Sequence, residues 1–358
     1  MEKFCVFCGQ KPDSKNNEHI LPRWLLELTG DPRREVELGS IWGEKLGRKR
    51  KFSFQSFKFP ACESCNDEFS KLEGESKCIF QQIFSLGKLR DYQFNTLFNW
   101  FDKVRIGLWL AYHYLDQNFF GISPKYHIKD RIGVNDRMLK IYRRDTDWVG
   151  LSFSGATTPS FYHTPNCIML FINNYAFLSA SGLGLFSRRI GFPYFTEQFA
   201  LSLDLDLKCK IAPGLQRIMF PLIKKQFALR GTELYQPIYK KYVYGEASEL
   251  FQSNYVVERS MDKVNGIGKI FALEKNSYST YPSTPTEVWI PAHSYTDDQF
   301  VKAAAIETLE FQILINNILR PSYELLGKTE QKHMELQHRH LDMLNRIIIE
   351  RIKKEGSY

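Results

Sequence analysis

The sequence predicts an α+β protein: a small metal-pinned N-terminal module, a larger mixed α+β domain and a set of C-terminal helices. Three observations predict it. Two Cys-x-x-Cys pairs, Cys5/Cys8 and Cys62/Cys65, fall within residues 1–77, a 3.6-residue apolar rhythm takes over after Cys78, and strand-like runs fill much of 120–295. The length of 358 residues suits two or three domains.

Within residues 1–77 there is little helical periodicity before the second cysteine pair. Phe52, Phe54 and the Phe57/Phe59 pair sit at largely alternating positions and predict a strand that Pro60 ends, and NDEFSKLEGES from Asn66 predicts a short helix. The second region, 78–295, opens on a long amphipathic helix over about 91–116. Phe94, Leu97, Phe98, Phe101, Val104, Leu108 and Ala111 make one face of it, broadened by Trp100 and Trp109. VGLSFSG, SFYHT, CIMLFI and YAFLSA read as strands, and the last two flank Asn173-Asn174, a pair that tolerates the positive φ of a tight hairpin turn. Ser277 to Thr286, rich in Ser, Thr and Pro, reads as a loop or linker. In the third region, 296–358, Thr296-Asp297-Asp298 starts a helix that Pro321 ends, and a final helix runs from about Gly327. Its stripe of Leu336, Leu341, Leu344, Ile348 and Ile352 suits packing on the core or a homo-oligomer contact.

Composition narrows the class. With 43% hydrophobic and 25% charged residues the chain is globular, not disordered, collagen-like or mucin-like. It begins without the apolar core of a signal peptide and holds no run of 18 apolar residues, so a cytoplasmic protein with no membrane partner is expected. In a reducing compartment the paired cysteines read as metal thiolates, and Cys78, Cys167 and Cys209 as small buried hydrophobes. The net charge of +8 permits a polyanionic partner; residues 1–77 hold 14 Lys+Arg against 13 Asp+Glu, so the other 281 residues carry +7. His113, His127, His163 and His293 read as ordinary core or surface histidines, as do His333 and His340, which share one face of the final helix.

The chemistry-bearing feature is the order Cys5-x-x-Cys8, Glu18-His19-Ile20-Leu21-Pro22, Cys62-x-x-Cys65-Asn66. Four thiolates in two knuckles suit a closed, tetrahedral, structural Zn²⁺. This order resembles the HNH nucleases, a branch of the ββα-metal or His-Me finger nucleases, over residues 1 to about 77. The resemblance implies a ββα-metal (HNH) module that cuts phosphodiester bonds. His19 would be the general base, with Glu18 and Asn66 ligands for a catalytic Mg²⁺ or Mn²⁺. Glu73 lies seven residues after Asn66 on the same helical face and is a further candidate ligand. Arg23 and the run Arg48-Lys49-Arg50-Lys51 are candidate contacts to the substrate's phosphates.

The sequence departs from the family pattern in three places. Phe57 stands where many members carry the asparagine that orients the histidine, Ser70 and Glu73 stand where a last histidine is expected, and Asp31 to Lys51 looks like an insertion. The function expected is a metal-dependent HNH endonuclease acting on nucleic acid, DNA rather than RNA. Its C-terminal region would select substrate, answer a regulatory protein or ligand, or make the oligomer, an organisation similar to restriction and antiphage-defence effectors. The alternative from another class is a zinc-stabilised nucleic-acid-binding protein whose catalysis has lapsed.

Overall fold

The computed structural model describes residues 4–13, 16–38, 50–53, 58–115, 127–192, 194–200, 207–212, 228–238, 265–275 and 280–354. Two compact units divide the chain: Met1–Gly133, Ile141–Ser179 and Thr286–Tyr295 form the first, and Val134–Lys140, Ala180–Pro285 and Thr296–Tyr358 the second.

In the first unit β1 (Asn16–His19) pairs antiparallel with β4 (Lys58–Ala61), placing His19 opposite Lys58 and Glu18 opposite Phe59. Pro22, with its extended backbone at φ −66° and ψ 147°, turns the chain into the short helix α1 (Arg23–Leu28). Where one strand was expected over the phenylalanines there are two. β3 (Arg50–Ser53) pairs antiparallel with β2 (Glu35–Leu38), whereas β4 pairs with β1. Arg48, Lys49 and Phe57 lie outside the described residues, and for Arg50 and Lys51 only the backbone is described.

The helix after the second cysteine pair is long, not short. α2 (Glu63–Leu86) passes through residues 77 and 78 without a break and stops at Gly87, whose φ of 64° suits the left-handed cap. Its apolar positions continue through Ile79, Phe80 and Ile83, all buried. Cys78 is exposed, contrary to expectation, because it falls on the opposite face; Cys167 is buried as expected, and the side chain of Cys209 lies outside the described residues.

β5 (Lys88–Arg90) leads into α3 (Asp91–Leu115), which buries its predicted face including Trp100 and Trp109. Further on come β6 (Asp136–Arg144), β7 (Leu151–Ser154), β8 (Cys167–Ile172) and β9 (Tyr175–Gly182); β8 and β9 are joined by a turn at Asn173 with φ 53°, as its sequence predicts. The SFYHT segment is instead a helical turn, α4 (Pro159–His163). Thr158 accepts a hydrogen bond from the Phe161 N–H and Pro159 opens the turn, so capping chemistry overrides β-propensity. β15 (Glu287–Trp289) pairs with β5, and β16 (Ala292–His293) pairs parallel with β6.

In the second unit α5 (Leu185–Arg189) precedes a two-stranded pair, β10 (Tyr194–Ala200) with β11 (Leu207–Ala212). β12 (Thr232–Gln236), β13 (Phe271–Lys275) and β14 (Thr280–Ser283) are successive neighbours, so part of the expected loop at 277–286 is a strand. Thr296 and Gln299 form a capping box at the start of α6 (Asp297–Ile318), which ends before Pro321. α7 (Lys328–Lys354) packs Ile349, with Ile348 and Ile352, on Ile306, Leu309 and Ile313 of α6. Leu336 is exposed; Met334, Leu341, Asn345 and Ile349 make the buried stripe, with the Asn345 amide donating to Gln312 Oε1 at 3.1 Å. No helix among the described residues is long and apolar enough to cross a membrane.

Candidate metal centre and adjoining cleft

The two knuckles meet. The sulfurs of Cys5, Cys8, Cys62 and Cys65 all lie within 4.8 Å of one another, close enough to bind one metal ion and compatible with structural zinc. Local backbone chemistry builds the first knuckle. The Gly9 N–H donates to the Cys5 carbonyl at 2.9 Å and Gly9 takes a φ of 73°, with the His127 ring packed where a Cβ would stand. The knuckle is tied to its surroundings by the Val6 N–H on the Pro60 carbonyl and by the Ile128 and Lys129 N–H groups on the carbonyls of Val6 and Phe7. Phe7 also stacks on Phe69 of α2, ring centroids 3.9 Å apart.

Burial and the neighbouring sulfurs push the Cys62 thiol up to about 11 and the Cys65 thiol to about 12. For Cys5 burial also raises the pKa, but hydrogen bonds from the backbone of Cys62, Cys8 and Phe7 win, and it is lowered. Cys62 and Cys65 thus hold their protons more tightly than a free thiol, and a bound dication would favour their thiolates.

Among the described residues these cysteines are the one cluster of at least three His, Cys, Asp or Glu side chains placed to hold a metal. Asn66, the fourth residue of α2, is not its cap; the cap position belongs to Cys62. Asn66 Oδ1 is buried and has no hydrogen-bond partner. A buried carbonyl oxygen left unpaired suits a hard cation as a ligand.

Glu18 and Glu73 are brought together, though through a residue that the motif does not contain. Lys103 of α3, its side chain 1% exposed, donates to Glu18 Oε1 at 2.6 Å and to Glu73 Oε1. Glu73 Oε2 accepts the Trp24 and Trp100 indole N–H groups, each at 3.0 Å. An aromatic cluster of Trp24, Phe80 and Trp100 lies beneath this carboxylate. Glu73 is therefore neither a solvated helix charge nor free to ligate: both its oxygens are taken up inside the protein. Burial would drive the proton off Lys103, but Glu73 and Glu18 outweigh it and hold the ammonium above its ordinary pKa. Burial likewise raises Glu18, against the pull of Lys103.

Little in the sequence marks Lys103: it falls off the Phe94–Ala111 face of α3, with Asn99 and Asp102 beside it as well as Trp100 and Ile106, and its burial is visible only in the fold, where a buried charge needs a partner.

His19 lines a cleft of about 520 Å³ with Arg23, Leu26, Glu27, Asp31, Pro32, Arg33 and Lys58. Burial, and then the charges of Lys58, Lys103 and Arg23, lower its pKa below the ordinary histidine value. The imidazole is thus neutral at neutral pH and can accept a proton. Arg23 is exposed and its Nε donates to Glu27 Oε1 at 2.8 Å, one turn along α1.

No protein-family model matches the sequence, and no curated protein or solved structure matches it significantly.

Proposed function

We propose that the chain is a metal-dependent HNH endonuclease that hydrolyses phosphodiester bonds, in DNA rather than RNA. The observation that carries this is the position of His19. It ends a strand paired with the one that leads into the second knuckle and α2, it is biased toward the neutral form, and it opens on a cleft shared with Arg23, Arg33 and Lys58. A neutral imidazole can take a proton from water, and the three cationic side chains offer charge-assisted contacts to a phosphate. The four-thiolate centre joins the loop before β1 to the start of α2 and so fixes their separation.

Glu18 Oε2 and Asn66 Oδ1 would hold the catalytic Mg²⁺ or Mn²⁺, and Glu73 would not. When bound, such an ion supplies Lewis-acid stabilisation of the charge that grows on the phosphate. The +7 carried beyond residue 77 assigns much of the capture of nucleic acid to the remainder of the chain, which would select substrate or answer a signal in a restriction or antiphage-defence role.

The test is incubation of the full-length protein with plasmid in Mg²⁺ or Mn²⁺ beside His19→Ala. We expect nicking or linearisation by the wild-type chain and a loss of roughly 10²–10⁴-fold in the variant, the usual contribution of a general base. Equal cleavage by both sinks the role of His19.

A second reading, a lapsed nuclease that only binds nucleic acid, is favoured by one observation: Lys103 already occupies Glu18 Oε1, which leaves that carboxylate a single oxygen for a metal. It predicts salt-sensitive binding with no cleavage under any metal.

A further inference from the structure

The carboxylates of Glu18 and Glu73 are the two that the sequence offers to a divalent ion, and each gives one oxygen to the same atom, Lys103 Nζ. That nitrogen lies 2.6 Å from Glu18 Oε1, within the roughly 2.3–2.6 Å at which Ca²⁺ holds carboxylate oxygens. The second oxygen of Glu73 is held by two indole N–H groups, so this carboxylate cannot swing away toward another ligand. Close packing fixes the lysine as well. Gly107, one turn beyond Lys103 on α3, sits so near the end of β1 that a Cβ there would stand 3.0 Å from Ile20 Cγ2.

We infer that Lys103 is the resident cation of the Glu18–Glu73 pair: its ammonium stands where a bridging divalent ion would stand, keeps such an ion off Glu73, and positions Glu18 and the strand that carries His19. Glu73 is then an anchor for Lys103. The assignment does not rest on the nuclease reading, since a chain that cleaves nothing would hold the same carboxylates on the same ammonium.

The experiment is thermal unfolding of the full-length, zinc-loaded protein with and without about 10 mM Ca²⁺, an oxygen-seeking ion that leaves thiolates to zinc. Lys103→Met keeps the length of the side chain and removes its charge. Without Ca²⁺ this variant should melt below the wild type, and Ca²⁺ should raise its Tm by several degrees more than it raises that of the wild type. The excess should vanish in the double variant Lys103→Met/Glu73→Gln. A Ca²⁺ increment in Lys103→Met no larger than in the wild type overturns the inference. Glu73→Gln alone retains an acceptor for the two indoles and should leave the wild-type response to Ca²⁺ unchanged. If it abolishes that response, the ion displaces Lys103 in the native chain and the inference fails. Should Lys103→Met fold in neither buffer, the Glu73→Gln comparison decides the matter by itself.

Discussion

Among the described residues two lysines are buried between pairs of glutamates, and their surroundings differ. Lys103, in the first unit, joins Glu18 to Glu73. Lys140, in the second, lies 2.6 Å from Glu307 of α6 and 3.0 Å from Glu233 of β12, and both glutamates hold its ammonium far above the ordinary lysine pKa against the effect of burial. The geometry is nearly the same, yet only the first has a partner that neighbours a histidine in a cleft. A buried ion pair taken alone is weak evidence for either stability or function. What separates the two is the sequence context of the glutamates: Glu18 belongs to the Glu-His-Ile-Leu-Pro element, while Glu233 and Glu307 belong to no motif.

The contrast can be sharpened first at the metal. Cys62→Ser, or stripping of the metal by a chelator, should remove the equivalent of one bound zinc and on the order of 10 kcal/mol of local stability. Hydrogen exchange should rise across β1, β4 and the start of α2, while the amides of β12 and β13, where Leu234 pairs with Ala272, keep their protection. Equal loss of protection in both places would mean that the thiolates do not hold the first unit locally.

The next effect compares the lysines directly. Lys140→Met and Lys103→Met should each cost about 3–5 kcal/mol, because each leaves buried carboxylates without their cation. Denaturant titration measures that cost. Cleavage per folded molecule should stay at the wild-type level in Lys140→Met and fall in Lys103→Met; a fall of the same size in both would mean that the two lysines serve stability alike.

The smallest effect belongs to a buried carboxylate held by peptide N–H groups. Asp136 accepts from the Ser187 N–H at 2.6 Å and the Ile238 N–H at 2.8 Å, and burial raises its pKa to about 7. Its folded pKa lies above the unfolded value of 3.8, so its stabilising contribution is complete below 3.8 and is lost as the pH climbs to about 7. Over that window the second unit should lose at most roughly 4 kcal/mol from this source. Urea midpoints measured from pH 4 to pH 8 should fall and then level off, and Asp136→Asn should flatten that slope.

Much of this molecule can be read from its chain, and the unreadable parts share a cause. Several expectations with a plain residue signature are met. The two knuckles converge, α3 buries its face from Phe94 to Ala111, Asn173 makes the hairpin turn, and Thr296 caps α6. Where side chains are satisfied by distant partners the pattern misleads. β6 reads Asp-Arg-Met-Leu-Lys-Ile-Tyr-Arg-Arg and lacks clean alternation, yet all but one of its residues are buried, because Arg137 reaches Gln236 and Lys140 reaches Glu307. The same holds at the candidate site. Glu18, His19, Asn66 and the cysteines are legible as a motif, whereas Lys103, which lies 85 positions from Glu18 and off the apolar face of α3, carries no local mark.

The crossing of α3 beside β1 sets a limit on portability. Residues 1–77 look like a cassette that could be cut out and grafted elsewhere, but a fragment ending there would cut α2 short and lose its buried Phe80 and Ile83. It would also strand Glu73 without its ammonium and without the Trp100 indole. The smallest transferable unit runs past α3 to at least Lys129, because the N–H groups of Ile128 and Lys129 tie the first knuckle; a chimera joined after Lys77 lacks both those ties and the Lys103 ammonium.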